Sequence, residues 1–214
     1  MMAHMAMEMK VYTGGELMCN GYLLECEGGE CVAVDAPGGF AEWVKRHLPQ
    51  GARLAHLLLT HQHFDHIEDA AALQRSTGCS VHACMPYSEG LTLAANAAAW
   101  GIPAPEPFRV DAPLGAADTG ADWGGLSWQA LYIPGHSTDS MVYALPSEGA
   151  LFAGDVLFEG SIGRSDLPGG SMSRLVRGIR DKILPYAPDT RVYPGHGPST
   201  TVGEEELNNP FIQG

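Results

Sequence analysis

The chain has 214 residues, 45% hydrophobic and 17% charged, which supplies a buried core and excludes intrinsic disorder. Its net charge of −13, with three lysines and nine arginines, argues against an extended nucleic-acid face and against binding to anionic membrane surfaces. No apolar run reaches the roughly 18 residues that span a bilayer.

Residues 1–8 are methionine-rich and lack the basic region, apolar core and cleavage site of a secretory signal, so they read as a flexible leader. A single domain over 9–214 and a cytoplasmic location are then expected. The five cysteines, Cys19, Cys26, Cys31, Cys79 and Cys84, form no CxxC pair and read as small buried hydrophobes of a reducing compartment. Residues 9–13 predict a short strand. The β-rich runs 19–26 and 31–35 are joined by Glu27-Gly28-Gly29-Glu30, a hairpin signal. Phe40, Trp43, Val44 and Leu48 give 40–48 a helical face. The nearly continuous apolar run 54–60 suits a strand covered on both sides. A helix over 67–75, a strand over 80–84 and an alanine-rich helix over 86–100 follow, the last stopped by Gly101-Ile102-Pro103. Residues 103–125 read as loop with short strands. Strands are predicted at 126–133, 141–145, 150–153 and 191–193, with an amphipathic helix over 173–184. No linker divides the series, so it reads as one α/β domain, two packed sheets with helices outside.

The chemistry concentrates in residues 61–66, which read His-Gln-His-Phe-Asp-His directly after an apolar run. His61, His63, Asp65 and His66 are four potential metal ligands in six positions. Three more candidates, His136, Asp155 and His196, each end an apolar run and each follow a glycine, which lets the chain turn sharply and approach closely. Imidazole and carboxylate without a thiolate cluster suit zinc, and also iron or manganese, and argue against a closed structural zinc site. In an extended segment His61 and His63 share one side. Asp65 and His66, opening the next helix, aim at a second position. The pattern points to a two-metal hydrolytic site at one edge of a sheet, where paired cations lower the pKa of a bridging water and clamp a developing oxyanion.

Each of these residues also has a plainer reading. Four polar groups behind an apolar run are costly without a ligand, but His136, Asp155 and His196 taken singly are equally caps or turn residues. His4 and His47 read as solvated, His56 as strand-exposed and His82 as half-buried. Arg164 and Asp166 read as an internal ion pair or a substrate contact, and Ser137 in Ser137-Thr138-Asp139-Ser140 as a site-lining or a turn residue. Arg174, Arg177 and Arg180 read as a solvated helix face.

The series His61-x-His63-x-Asp65-His66, then His136, Asp155 and His196, resembles the metallo-β-lactamase superfamily. Residues 153–158 and 160–170, and 193–201 trailed by Glu204-x4-Asn209-Pro210-Phe211, resemble its glyoxalase II-like (hydroxyacylglutathione hydrolase) branch in a short single-domain form. The resemblance covers the chain from about Val11 onward. It implies the αββα sandwich of the metallo-β-lactamase fold, two mixed sheets with helices outside and metals at the edge between them. It implies one metal on His61, His63 and His136, a second on Asp65, His66 and His196, and Asp155 bridging. The cofactors implied are two divalent metals, zinc first, then iron or manganese. The activity implied is cleavage of a small-molecule thioester such as a hydroxyacylglutathione by metal-bound hydroxide, with Asp65 orienting the nucleophile. A thiolate leaving group, with a pKa near 8.5, needs little help from a general acid. Ser137 and Arg164 are the substrate-binding candidates, and no nucleic-acid or membrane partner is expected.

The alternative activity is a persulfide dioxygenase acting on glutathione persulfide, with one iron on His61, His136 and Asp155. Two histidines and a carboxylate are the facial set suited to oxygen activation. Leu167-Pro168-Gly169-Gly170 leans toward the hydrolase. A β-lactam or phosphodiester hydrolase is a third reading, opposed by the expected location and the acidic surface. Ile67-Glu68-Asp69 stand where small residues are common in the family, and eighteen residues follow His196 where two-domain members carry a glutathione-holding extension. Thiol recognition is then expected from loops of the main domain.

Overall fold

The structure is a computed structural model that describes residues 8–213. The leader expected over 1–8 lies outside the described residues except for Glu8, which opens the first strand and pairs with Glu25. In the first sheet β1 (Glu8–Gly14) pairs antiparallel with β2 (Cys19–Glu25), and β2 with β3 (Glu30–Val34). Helix α1 (Phe40–His47) then carries the chain to β4 (Arg53–Leu58), parallel to β3. Helices α2 (Phe64–Ile67) and α3 (Ala70–Thr77) lead to β5 (Ser80–Ala83), and α4 (Ala94–Ala99) precedes β6 (Ala112–Pro113), each strand again parallel to its predecessor.

The second sheet opens with the antiparallel run β7 (Thr119–Trp123), β8 (Leu126–Tyr132), β9 (Met141–Leu145) and β10 (Ala150–Gly154). A small hairpin of β11 (Leu157–Phe158) and β12 (Ser161–Ile162) and helix α5 (Met172–Lys182) intervene before β13 (Arg191–Pro194), which lies parallel to β10. Strand β14 (Thr200–Thr201) and helix α6 (Val202–Asn208) close the chain, with Thr201 capping α6 by accepting from the Glu204 amide. Neither β14 nor α6 is among the elements expected from sequence, although Thr201-x-x-Glu204 has the spacing of a capping box.

Alternation along the strands builds the layers. Tyr22, Leu24, Val32, Val34 and Leu58 turn inward against Trp128, Tyr143 and Phe152 of the second sheet. Leu23, Ala33 and Leu57, between them, turn outward beneath Phe40 and Val44 of α1 and Leu73 of α3. On the far side Val142, Leu151 and Val192 pack against Leu175, Ile179 and Ile183 of the α5 region. Strand β4 thus has both faces covered, which is why its sequence is continuously apolar. The result is the expected αββα sandwich. Among the described residues no helix is long and apolar enough to cross a membrane.

Two expected helices form differently. The run 67–75 is split into α2 and α3 because the carboxylate of Asp69 accepts from the Ala41 amide while its own amide donates to the carbonyl of Ala36. That pins the break against the loop leading into α1. In 86–100 only Ala94–Ala99 is α-helical. The Gln62 side chain donates to the carbonyls of Met85 and Pro86 and accepts from the Ser88 amide, holding 85–88 out of helix, and Leu93 takes a φ of 56° immediately before α4.

His82 on β5 is buried, with Nε2 3.1 Å from Nδ1 of the half-buried His56 and its ring against Trp123. Burial first, and His56 second, hold the His82 imidazole down at about 4 from its ordinary 6.5. The unfolded chain therefore takes up this proton before the folded one. The stability that His82 contributes is full above its ordinary pKa and is lost as the pH falls toward the folded value. With solvent screening allowed for, His82→Leu is expected to remove about 1 kcal/mol of the acid sensitivity of the metal-free protein between neutral pH and about pH 5, read from denaturant unfolding. Identical pH dependence in the two proteins contradicts the assignment.

Candidate metal centre

Strand polarity gathers the seven predicted ligands. β8 and β10 are each antiparallel to β9, and β13 is parallel to β10, so β8, β10 and β13 end at one edge of the second sheet. His136, Asp155 and His196 follow those three ends. From the first sheet, β4 runs out through Leu59 and Thr60 into His61 and His63, and α2 presents Asp65 and His66 in its single turn. The glycines ahead of the ligands have a steric reason at all three positions, a Cβ on Gly135 meeting the backbone of Leu175. Gly154 has a φ of +49° and sits against Thr60, where a Cβ would collide with that side chain. A Cβ on Gly195 would land on Oδ1 of Asp155 and the ring of His66.

The ligand-capable atoms of His61, His63 and His136 all lie within 4.8 Å of one another, as do those of Asp65, His66, His196 and Cys19. Asp155 stands between the two groups. Its Oδ2 is 3.6 Å from Nε2 of His136, while its Oδ1 is 3.2 Å from Nε2 of His66 and 3.7 Å from Nε2 of His196. Nε2 of His136 is 2.9 Å from Nδ1 of His63, and Nε2 of His196 is 3.1 Å from Oδ2 of Asp65.

The outward nitrogens are already committed. Nδ1 of His136 donates to the Arg164 carbonyl at 2.9 Å, Nδ1 of His196 to the Leu17 carbonyl at 3.1 Å and Nδ1 of His66 to the Asp35 carboxylate at 2.8 Å. The Thr60 hydroxyl donates to Asp35, so its oxygen accepts from Nδ1 of His61. Each of these four rings therefore directs Nδ1–H outward and Nε2 inward, the arrangement that prepares an imidazole to ligate once Nε2 is free of a proton. Nε2 of His61, Nε2 of His66 and Oδ1 of Asp155 are buried with no hydrogen-bond partner. Buried orphans are costly. These converge as imidazole nitrogens and carboxylate oxygens, a donor set that fits divalent cations.

Electrostatics agree. Burial pushes the carboxyls of Asp65 and Asp155 up, but His66 and then His196 or His136 outweigh it and hold both below the ordinary carboxylate range. Burial drives His61 well below 6.5 and His63 down to about 3, with neighbouring imidazoles adding to the effect. Burial would lower His66 and His196 too, yet Cys19 and the carboxylates around His66, and Asp65 beside His196, raise them instead. Without metal these two rings attract protons; with metal they must give them up. Metal release is therefore expected to steepen as the pH falls, and metal uptake near neutral pH to release protons, measurable by comparing calorimetric heats in buffers of different ionisation enthalpy. Uptake that moves no protons contradicts this charge balance.

Sequence reasoning missed Asp35. It lies just past β3 with a φ of 58°, buried, where it accepts from the Thr60 amide, the Thr60 hydroxyl and His66 Nδ1 at 2.8 Å each. A polar residue ending an apolar strand beside the histidine cluster was the available signal. Asp139, read from sequence only as part of a stretch that lines the site or turns, has a definite place. Its carboxylate accepts from the Gln62 amide and from the Ser137 hydroxyl, tying the 137–140 turn to the histidine loop. Ser137 is buried, with its hydroxyl engaged by Asp139 and Ser140. The Arg164 guanidinium is exposed in a bidentate pair with Asp166, while its backbone carbonyl holds His136.

Comparison with known proteins agrees with the geometry. Residues 14–196 match the family described as the Metallo-beta-lactamase superfamily. The hydroxyacylglutathione hydrolase GloC of Haemophilus influenzae is 33% identical over 183 residues, spanning 84% of this chain and 86% of that protein. Among solved structures, the BLEG-1 B3 metallo-beta-lactamase superposes with a TM-score of 0.86 at 35% identity, covering 97% of this chain and 100% of that one. TTHA1623 in a di-iron-bound form gives 0.82 at 35% identity, with 94% and 99% covered. ETHE1 from Myxococcus xanthus gives 0.73 at 27% identity, with 95% and 84% covered.

Proposed function

The chain belongs to the metallo-beta-lactamase superfamily, and on that premise we propose that it is a two-metal hydrolase that cleaves a small thioester of the hydroxyacylglutathione type. The observation that carries the reading is Asp155, whose two oxygens face different groups of imidazoles. A carboxylate so split fits a bridge between two cations, one on His61, His63 and His136 and the other on Asp65, His66 and His196. The likeness to the GloC hydrolase supports the substrate class.

Bound metals supply Lewis acidity and lower the pKa of water between them. The chain's own residues do the rest. Asp35, Thr60 and the carbonyls of Arg164 and Leu17 fix which nitrogen each imidazole presents. Asp65 turns Oδ2 toward His196 at 3.1 Å, and on this reading its carboxylate orients the nucleophilic water. The departing thiolate, stable at a pKa near 8.5, requires no proton donor from the chain. Arg164, whose carbonyl holds His136 while its exposed guanidinium pairs with Asp166, is the candidate for a substrate carboxylate.

The second reading, a persulfide dioxygenase with iron on His61, His136 and Asp155, draws on the likeness to ETHE1. The gathered Asp65, His66 and His196 favour the hydrolase, because a one-iron enzyme leaves them without a ligand. Metal analysis of the purified protein, with thioester hydrolysis and oxygen uptake on glutathione persulfide, separates the two. Two metals per chain and oxygen-independent thioester turnover are expected. One iron with oxygen consumption would overturn the proposal.

A further inference from the structure

Cys19 belongs to none of the seven positions, yet it is the one cysteine that the fold delivers to them. It opens β2 directly opposite His196, and this end of β2 is fastened to β13. The Asn20 amide donates to the Gly195 carbonyl at 2.7 Å, and the Asn20 side-chain amide donates to the carbonyls of Pro194 and Gly197 at 3.1 and 3.0 Å. The Cys19 side chain is fully buried, and its Sγ has only a weak contact with the Asn20 carbonyl at 3.7 Å. Sγ lies within 4.8 Å of ligand-capable atoms of Asp65, His66 and His196. A second observation points the same way. His66 is grouped with this sulfur, and with its Nδ1 committed to Asp35 its Nε2 is fully buried without a hydrogen-bond partner. Cys26, Cys31, Cys79 and Cys84 join no such group among the described residues.

We propose that Cys19 is a further protein ligand of the second cation position, giving that position one sulfur beside the carboxylate of Asp65 and the imidazoles of His66 and His196. The inference rests on the two-metal reading of the site. On ligation the thiol proton leaves to solvent and the sulfur lone pair takes its place on the cation. The two positions then differ in kind. The one on His61, His63 and His136 offers nitrogen and the Asp155 oxygen, and the one beside Cys19 adds a soft sulfur to nitrogen and oxygen. A soft ligand favours zinc or cobalt over manganese at that position alone.

The test uses the full chain loaded with cobalt(II) and read by absorption, independent of turnover. Two cobalt ions per chain and a near-ultraviolet thiolate-to-cobalt charge-transfer band are expected. The band should vanish in Cys19→Ser and persist in Cys84→Ser. Two bound ions with no such band, or a band that survives Cys19→Ser, overturns this inference and leaves the two-metal reading standing. Uptake of fewer than two ions overturns both. Should Cys19→Ser fail to fold, X-ray absorption at the zinc edge of the unaltered protein decides. A sulfur scatterer at about 2.3 Å supports the ligand, and a shell of nitrogen and oxygen alone excludes it.

Discussion

Asp155→Ala is expected to leave at most one metal bound and to lower thioester turnover roughly a thousandfold, equivalent to about 4 kcal/mol of lost transition-state stabilisation. Asp155 addresses both groups of imidazoles, Oδ2 toward His136 and Oδ1 toward His66 and His196. Without it, two cations at this edge lose the anion that screens their mutual repulsion, and the second position loses a ligand as well. Asp155→Asn keeps the shape and one oxygen but removes the charge, so its loss should be intermediate. Metal content by mass spectrometry and steady-state kinetics measure both. Two metals retained in Asp155→Ala, with turnover near normal, would refute the bridging role.

Asp35→Ala is the second large effect, although this residue is not one of the proposed ligands. Its carboxylate is the shared acceptor for the Thr60 amide, the Thr60 hydroxyl and Nδ1 of His66, all buried. Truncation strands three donors at once, with an expected stability loss of about 3 kcal/mol. It also frees His66 to change tautomer and rotate, which should weaken metal binding between tenfold and a hundredfold. Part of the loss could come from the backbone, because the residue holds a φ of 58°, where alanine is strained and aspartate is better tolerated. Asp35→Gly removes that strain while deleting the same acceptor. A stability loss in Asp35→Ala that glycine fully restores would assign the effect to the backbone and withdraw the hydrogen-bond argument. Denaturant unfolding and metal titration of the two variants give the comparison.

The sandwich and the gathered ligands were legible because both rest on short-range pattern. Continuous apolar runs marked β4 and β10, and Gly135, Gly154 and Gly195 marked where strands stop and ligands begin. What stayed hidden depends on contacts distant in sequence. Asp35 looks like any strand-ending aspartate until Thr60 and His66 fold against it. Gln62 looks like a spacer between histidines, yet its carboxamide decides that 85–88 is loop rather than helix. Cys19 carries no motif at all. Its position is set by the fastening of Asn20 to β13, a pairing between the two sheets that local periodicity does not encode.

That fastening has a mechanical meaning. His61, His63, Asp65 and His66 come from the first half of the chain and His136, Asp155 and His196 from the second, so any ion held there is a rivet through both leaves of the sandwich. Along this rim Asn20, Tyr22 and Asp139 supply stitches that owe nothing to an ion. Loading the centre and locking the leaves together are then a single thermodynamic event, and part of the affinity for metal is cohesion of the fold itself.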